Sequence, residues 1–278
     1  MQKFEKKLLI IISNIKKRGL FKVFVDLITS RLKRDWQGFI LIHKAAVFFL
    51  WTIYPQKMWQ NHPKLVLKAL ELNNNRICKN KKLMNFIFKL QHDPGFNKTL
   101  LSFREMINVY SLTEKVLKLS GDLAEVGVYR GGSAKIICEA KDNQVLHLFD
   151  TFKGLPKPDK TIDELAKGEM KNTSLAYVKN SLKKYPKLRF YQGLFSENCN
   201  KIKDCKFSFV HLDVDLYQGT KNCLSFFYPR LVPGGIILIH DYNSIDTPGV
   251  KKAVDEFLSD KSKTVVELWD SQCLIIKY

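Results

Sequence analysis

Two patterns of apolar and polar residues divide the chain. From Phe4 to Leu50 apolar and basic residues interleave, with Leu20, Val23, Phe24, Leu27 and Ile28 at the three-and-four spacing of a helix. From Gly121 onward, short apolar runs alternate with amphipathic stretches. DLAEVGV (122–128), VLHLFD (145–150), LRFYQG (188–193), FSFVHLDVD (207–215) and GGIILIHD (234–241) read as strands. GGSAKIICEA (131–140), residues 172–184, Tyr217–Tyr228 and GVKKAVDEFL (249–258) read as the helices between them, with Pro229 and Pro233 bracketing a turn. TVVELW and QCLIIKY end the sequence as two strands with little between them, a spacing that suits an antiparallel hairpin at a sheet edge. Strands alternating with helices predict an α/β fold. The expectation is a doubly wound, mostly parallel seven-stranded sheet with an antiparallel C-terminal edge, preceded by an α-helical N-terminal extension.

The connections refine this division. Ser102–Leu119 reads as a helix leading into the sheet domain, stopped by Ser120-Gly121. Asn73–Asn75 followed by NKKLMN, and His92-Asp93-Pro94-Gly95, read as linkers. The expected domains are therefore a helical extension over 1–98 and an α/β domain over 99–278. With 278 residues, 45% hydrophobic and 26% charged, the chain can bury a sizeable core, and disordered and disulfide-scaffold classes are excluded.

Charge changes the picture of the extension. Residues 1–100 carry 20 basic and 5 acidic side chains, whereas residues 101–278 carry 26 and 22. The basic excess thus belongs to the N-terminal part and implies an anionic partner there. Phe39–Tyr54 is the longest apolar stretch, but it has 16 residues and contains His43 and Lys44. A spanning helix needs about 20 apolar residues. The apolar run Leu8–Ile12 is too short for a secretory signal. Two readings stand: helices that pack on the domain or on another copy in a homo-oligomer, or a surface helix lying against an anionic membrane through residues 1–60. Nucleic acid is disfavoured, because no zinc-finger spacing or aromatic RNA-binding motif is present. The six cysteines, none in C-x-x-C spacing, read as reduced thiols of a cytoplasmic protein, which a membrane-binding arm would place at the inner face.

Candidate chemistry gathers at strand ends. In open α/β sheets ligands bind beyond the carboxyl ends of the strands, at the switch point. The first strand ends in Glu125-Val-Gly127-Val-Tyr-Arg-Gly131-Gly132-Ser133, where glycines permit a tight turn and close backbone approach. The second ends at Asp150, an acid able to accept from a ribose diol. Asp213 and Asp215 lie two apart, so on a strand they share a face, and past its end both can enter one cleft. The next strand ends in His240-Asp241. Three carboxylates and an imidazole at adjacent tips suit a hard or borderline divalent ion.

EVGVYRGGSA, LFDTFKGLP, FVHLDVDLYQGT, YPRLVPGGIILIHDY and GVKKAVDEF, in this order, resemble the macrocin O-methyltransferase family over about residues 100–278. The resemblance implies a Rossmann-like fold and an S-adenosylmethionine-dependent, metal-assisted O-methyltransferase acting on a hydroxyl of a sugar, glycan or glycosylated natural product. It places Glu125, Gly127, Gly131 and Ser133 along the cofactor, Asp150 on its ribose, and Phe195 and Ser196 by the adenine. It assigns Asp213, His240 and Asp241 to a divalent metal, commonly magnesium, and Asp215 as general base. His240 stands where better-studied members have aspartate. Two other functions are weighed: a small-phenol or catechol-type methyltransferase with a flat acceptor pocket, and a non-catalytic membrane- or glycan-binding scaffold, which would not need the acids and glycines. Lys153–Asn172, long and Lys-rich, is expected to be either a lid over the acceptor or a disordered loop.

Overall fold

The computed structural model describes residues 77, 79–92, 99–259 and 265–278. The expectations for residues 1–76 of the basic extension, including its membrane-facing segment, fall outside these. Asn80–Tyr278 forms one compact unit.

That unit opens with α1 (Lys81–His92). NKKLMN was expected to be linker, yet it starts this helix. Asn80 Oδ1 accepts from Leu83 N at 3.1 Å, capping the first turn. Leu83, Met84, Ile87 and Leu90 then fall on one buried stripe. Burial of that stripe outweighs the polar composition of the first turn. Helix α2 (Phe103–Lys115) begins at Ser102 with a complete capping box: the Ser102 side chain accepts from Glu105 N, and the Glu105 carboxylate accepts from Ser102 N.

The sheet follows with β1 (Asp122–Val126), α3 (Gly132–Ala140), β2 (Leu146–Asp150), α4 (Leu175–Leu182), β3 (Leu188–Gln192) and the short α5 (Phe195–Asn198). After these come β4 (Phe207–Leu212), α6 (Tyr217–Phe227), β5 (Leu231–Ile239), α7 (Pro248–Leu258), β6 (Val266–Glu267) and β7 (Cys273–Ile276). The order is β3-β2-β1-β4-β5-β7-β6, with β1 to β5 parallel and β7 antiparallel to both of its neighbours. The chain therefore winds outward from β1 in one direction, returns, and winds the other way from β4. The switch point lies between β1 and β4.

Central strands are buried on both faces: all six residues of β4 are buried, whereas β3 at the edge has none. Phe149, Phe207, Phe209 and Phe227 are fully buried, each worth about 1.5–3 kcal/mol of transfer free energy. Helix α4 is shorter than expected, because Ser174 caps it and Lys183 ends it. Strand β5 starts earlier than expected. A bulge between Leu231 and Ile236, opposite Phe207 and Phe209, absorbs Pro233 and the glycines into the strand.

Candidate active site

The β1 tip is built by backbone constraint. Gly127 has φ +91°, and a Cβ there would lie 1.7 Å from the Asp213 carbonyl oxygen. The missing side chain lets β1 and β4 end side by side. Gly131 has φ +80° and is the N-cap of α3. Between them, Asp150 at the end of β2 accepts from Val128 N at 2.8 Å and Tyr129 N at 2.7 Å, and from Phe152 N at 2.6 Å. Burial raises the Asp150 carboxyl above its usual range, and these three donors oppose the rise. Asp150 thus shapes the β1–α3 loop as well as standing at its mouth.

Glu125, two residues before Gly127 on β1, is fully buried. It pairs in register with His211 on β4, and its Oε1 lies 3.0 Å from His211 Nδ1. Burial raises its pKa, against contacts with His211 and Ser133. The Phe195 ring lies in the core, 5.2 Å from Phe149 and 5.0 Å from Phe227 between centroids. Its neighbour Ser196 is exposed.

Strand β4 stops at Leu212, so Asp213 and Asp215 lie past its end rather than on the strand as one reading had them. Asp215 and Asp241 both adopt left-handed backbone, φ +60° and +64°. That conformation costs about 1–2 kcal/mol for a non-glycine residue, and it accompanies the convergence of Asp213, His240 and Asp241. Their ligand atoms all lie within 4.8 Å of one another. His240 Nδ1 is 3.2 Å from Asp213 Oδ1 and 3.0 Å from Asp241 Oδ1.

Glu105, which sequence reasoning missed, closes the cluster from α2. Its Oε2 is 3.3 Å from His240 Nε2. The Ser102-x-x-Glu105 capping pattern was a readable signal for the helix start, but nothing local points to the contact with His240.

Charge is concentrated here. Burial opposes ionisation of Asp213, but the His240 charge and contact prevail and hold its pKa low. Burial pushes Asp215 well above the carboxylate range, and the carboxylates of Asp213 and Asp241 push it further. Burial would lower His240; Asp213, Asp241 and Glu105 outweigh it and raise it well above its usual value. Glu105 is held at about 2 despite burial, by His240, Ser271 and the Ser102 N–H.

These donors fit a divalent cation. Both His240 ring nitrogens are buried without a hydrogen bond of good geometry. The 3.0–3.2 Å separations from Nδ1 to the carboxylates match the edge of an octahedron with bonds of about 2.1 Å. A second group, Asp122, His147 and Cys205, is of another kind. There His147 Nε2 meets Asp122 at 2.9 Å and Nδ1 meets Tyr191 Oη at 2.9 Å, so both nitrogens are engaged within the protein.

The 153–174 loop carries its own hydrogen bonds. Leu155 N donates to Glu169 O at 2.8 Å, and Tyr217 N at the start of α6 donates to Asp163 Oδ1 at 2.9 Å. Its far end returns to the β1 turn, where Tyr129 Oη donates to Asn172 Oδ1 at 2.5 Å. The loop thus ties the β1 turn to the start of α6.

A family profile described as Macrocin-O-methyltransferase (TylF) matches residues 41–273. The chain belongs to the macrocin O-methyltransferase family, and it is an O-methyltransferase. The match begins well before residue 100, so the resemblance read from the motifs was drawn too short. Residues 41–99 carry no strand-tip motif to announce them. A mycinamicin III 3''-O-methyltransferase of Micromonospora griseorubida is 29% identical over 59% of this chain and 71% of its own length. An 8-demethyl-8-(2,3-dimethoxy-alpha-L-rhamnosyl)-tetracenomycin-C 4'-O-methyltransferase of Streptomyces olivaceus is 28% identical over 54% of this chain and 64% of its own length. Among solved structures, the O-methyltransferase NovP shares the fold, with TM-score 0.56 and 23% identity over 64% of this chain and 81% of that one.

Proposed function

We propose that this enzyme moves the methyl group of S-adenosylmethionine onto a hydroxyl of a sugar, in a glycan or glycosylated natural product. The carrying observation is the convergence of Asp213, Asp215, His240 and Asp241 past the β4 and β5 tips, beside the glycine turn of β1, in a member of this family. The rhamnosyl-bearing substrate named for the Streptomyces olivaceus relative supports a sugar acceptor.

In this reading the β1–α3 loop cradles the donor, and Asp150 offers the ribose what acceptor capacity its three N–H bonds leave. Asp213, His240 and Asp241 would hold a divalent cation, magnesium in this reading. When bound, such an ion lowers the pKa of a coordinated oxygen acid, as it can take water from about 16 toward about 7. Asp215 stands next to that cluster, where a cation would offset the carboxylate repulsion that favours its protonated form, and ionised Asp215 takes the acceptor's hydroxyl proton as the oxygen attacks the methyl carbon. The C–S bond breaks in line, S-adenosylhomocysteine leaves, and the proton remains on Asp215. Proton removal of this kind contributes roughly 10²–10⁴ in rate, and fixing both reactants contributes roughly 7–11 kcal/mol. The 153–174 loop is the cover that would exclude water during the step.

The basic arm forms a separate part of this reading. The membrane assignment covers residues 1–60; residues 41–60 also fall within the family match, and residues 1–40, outside it, carry ten basic and three acidic side chains. Among the described residues no helix is long and apolar enough to cross a membrane.

The test is transfer of labelled methyl from S-adenosylmethionine to a panel of glycosylated and phenolic acceptors, with and without chelator. Label on a sugar oxygen, lost with EDTA and restored by Mg²⁺ or Mn²⁺, is the expected result. Label on phenols alone refutes the acceptor class, and full activity in EDTA refutes the cation.

A further inference from the structure

Glu105 does more than a helix cap requires. A capping box uses one carboxylate oxygen, and here Oε2 accepts from Ser102 N at 2.8 Å. The other oxygen is also committed: Oε1 accepts from Ser271 Oγ at 2.7 Å and Ser271 N at 3.2 Å, tying α2 to the β6–β7 turn. Glu105 is 4% exposed, so the carboxylate is held from both sides in a fixed orientation. That orientation sets Oε2 3.3 Å from His240 Nε2.

The imidazole has two nitrogens on diverging axes. Nδ1 meets Asp213 and Asp241; Nε2 meets Glu105. Carboxylates face both nitrogens, Asp213 and Asp241 more closely than Glu105; once a cation takes the Nδ1 lone pair, the one N–H left lies on Nε2 and faces Glu105. Outer carboxylates of this kind orient metal-ligating histidines, and their loss costs typically 10–100-fold in metal affinity.

We propose that Glu105 is the positioning residue of this site: when a cation occupies Nδ1, Glu105 takes the Nε2–H of His240 and so holds the ring with Nδ1 between Asp213 and Asp241. The proposal rests on the cation reading above. The 3.3 Å contact is off the N–H axis, and functional hydrogen bonds that are long or poorly aligned in an unliganded site often tighten in the loaded one. Aspartate at position 240 would need no such partner, since either of its oxygens can ligate. Histidine ligates through one nitrogen only, and Glu105 holds the other.

The experiment uses the full chain and Mn²⁺ alone as probe, followed by electron paramagnetic resonance, with ¹⁵N histidine NMR reporting the tautomer. The His240 signal is identified by its absence in His240→Gln. With diamagnetic Mg²⁺ bound for the NMR, the wild type is expected as Nε2–H. Glu105→Ala should shift that Nε2–H signal and weaken Mn²⁺ binding 10–100-fold, while Glu105→Gln, whose amide oxygen still accepts, should recover most of the affinity. Ser102→Ala removes the cap hydroxyl but not the carboxylate; it should lower stability and leave Mn²⁺ affinity within about threefold. An unchanged Nε2–H signal and affinity in Glu105→Ala, or an equal loss in Ser102→Ala, overturns the proposal. If Glu105→Ala does not fold, Glu105→Leu at low temperature is read by the same two measurements. If the wild type binds neither Mn²⁺ nor Mg²⁺, the cation reading fails and the proposal with it; binding in the wild type that Glu105→Ala leaves unchanged sinks the proposal alone.

Discussion

Two glycines with nearly the same backbone angle allow strain and contact to be separated. Gly127 has φ +91° and Gly168 has φ +84°. An alanine at either position meets the same left-handed penalty of about 1–2 kcal/mol, offset by roughly 0.4–1 kcal/mol from the lost freedom of the unfolded chain. Around Gly168 nothing lies within 4 Å of an added Cβ, so Gly168→Ala should cost only about 1 kcal/mol. At Gly127 the added carbon would lie 1.7 Å from Asp213 O, about half a normal contact distance. Something must move by more than an ångström, and what moves carries Asp213. Overpacking of this order adds roughly 1–3 kcal/mol, so Gly127→Ala should cost about 2–4 kcal/mol in total. A displaced Asp213 should also reduce turnover by about 10², as misplacements near 1 Å do. Urea unfolding gives the stability difference, and titration calorimetry with S-adenosylhomocysteine and Mn²⁺ shows which binding function follows. Equal stability of the two variants, or wild-type turnover in Gly127→Ala, would refute the claim that this glycine exists to let β1 and β4 end side by side.

Three further outcomes are expected. Asp215→Asn should keep cofactor and Mn²⁺ binding in calorimetry yet lower turnover by two or more orders of magnitude, because an amide cannot take the proton; turnover within tenfold of wild type would remove Asp215 from that role. His147 is buried, and burial lowers its pKa below 6.5 despite Asp122; the unfolded chain then binds a proton that the native state refuses. Stability is full above about pH 6.5 and lost as pH falls toward the folded value, by up to roughly 1.4 kcal/mol per pH unit. Urea midpoints between pH 7 and 5 should therefore fall less steeply in His147→Gln than in the wild type, and parallel curves would contradict this. The arm assignment predicts that the protein co-sediments with anionic vesicles at low salt, at about 1 kcal/mol per basic residue, and is released as salt rises. Replacing Lys3, Lys6, Lys7, Lys16, Lys17 and Arg18 by glutamine should leave it in the supernatant, and equal sedimentation would assign the arm to packing.

Much of the architecture was legible because its signals are local. A run such as FSFVHL is apolar without alternation, as a strand buried on both faces must be, and all six of its residues are buried. The glycine turn, the Asp213-x-Asp215 pair and His240-Asp241 each sit at the end of such a run, so their place at the carboxyl edge followed from strand direction alone. Other features were out of reach of local pattern. The α1 helix was misread because its polar start hides a stripe whose value lies in what it packs against. Whether Glu125 faces a cofactor or a neighbour depends on which strand lies beside β1. The order puts β4 there, in a register that sets Glu125 against His211. Glu105 illustrates the division most sharply. Its spacing from Ser102 determined a helix start, a contact three residues long. Its approach to His240 required α2, the β5 tip and the β6–β7 turn to meet. Local periodicity carries the free energy of single elements, whereas the site depends on which elements become neighbours, and only the packed sheet decides that.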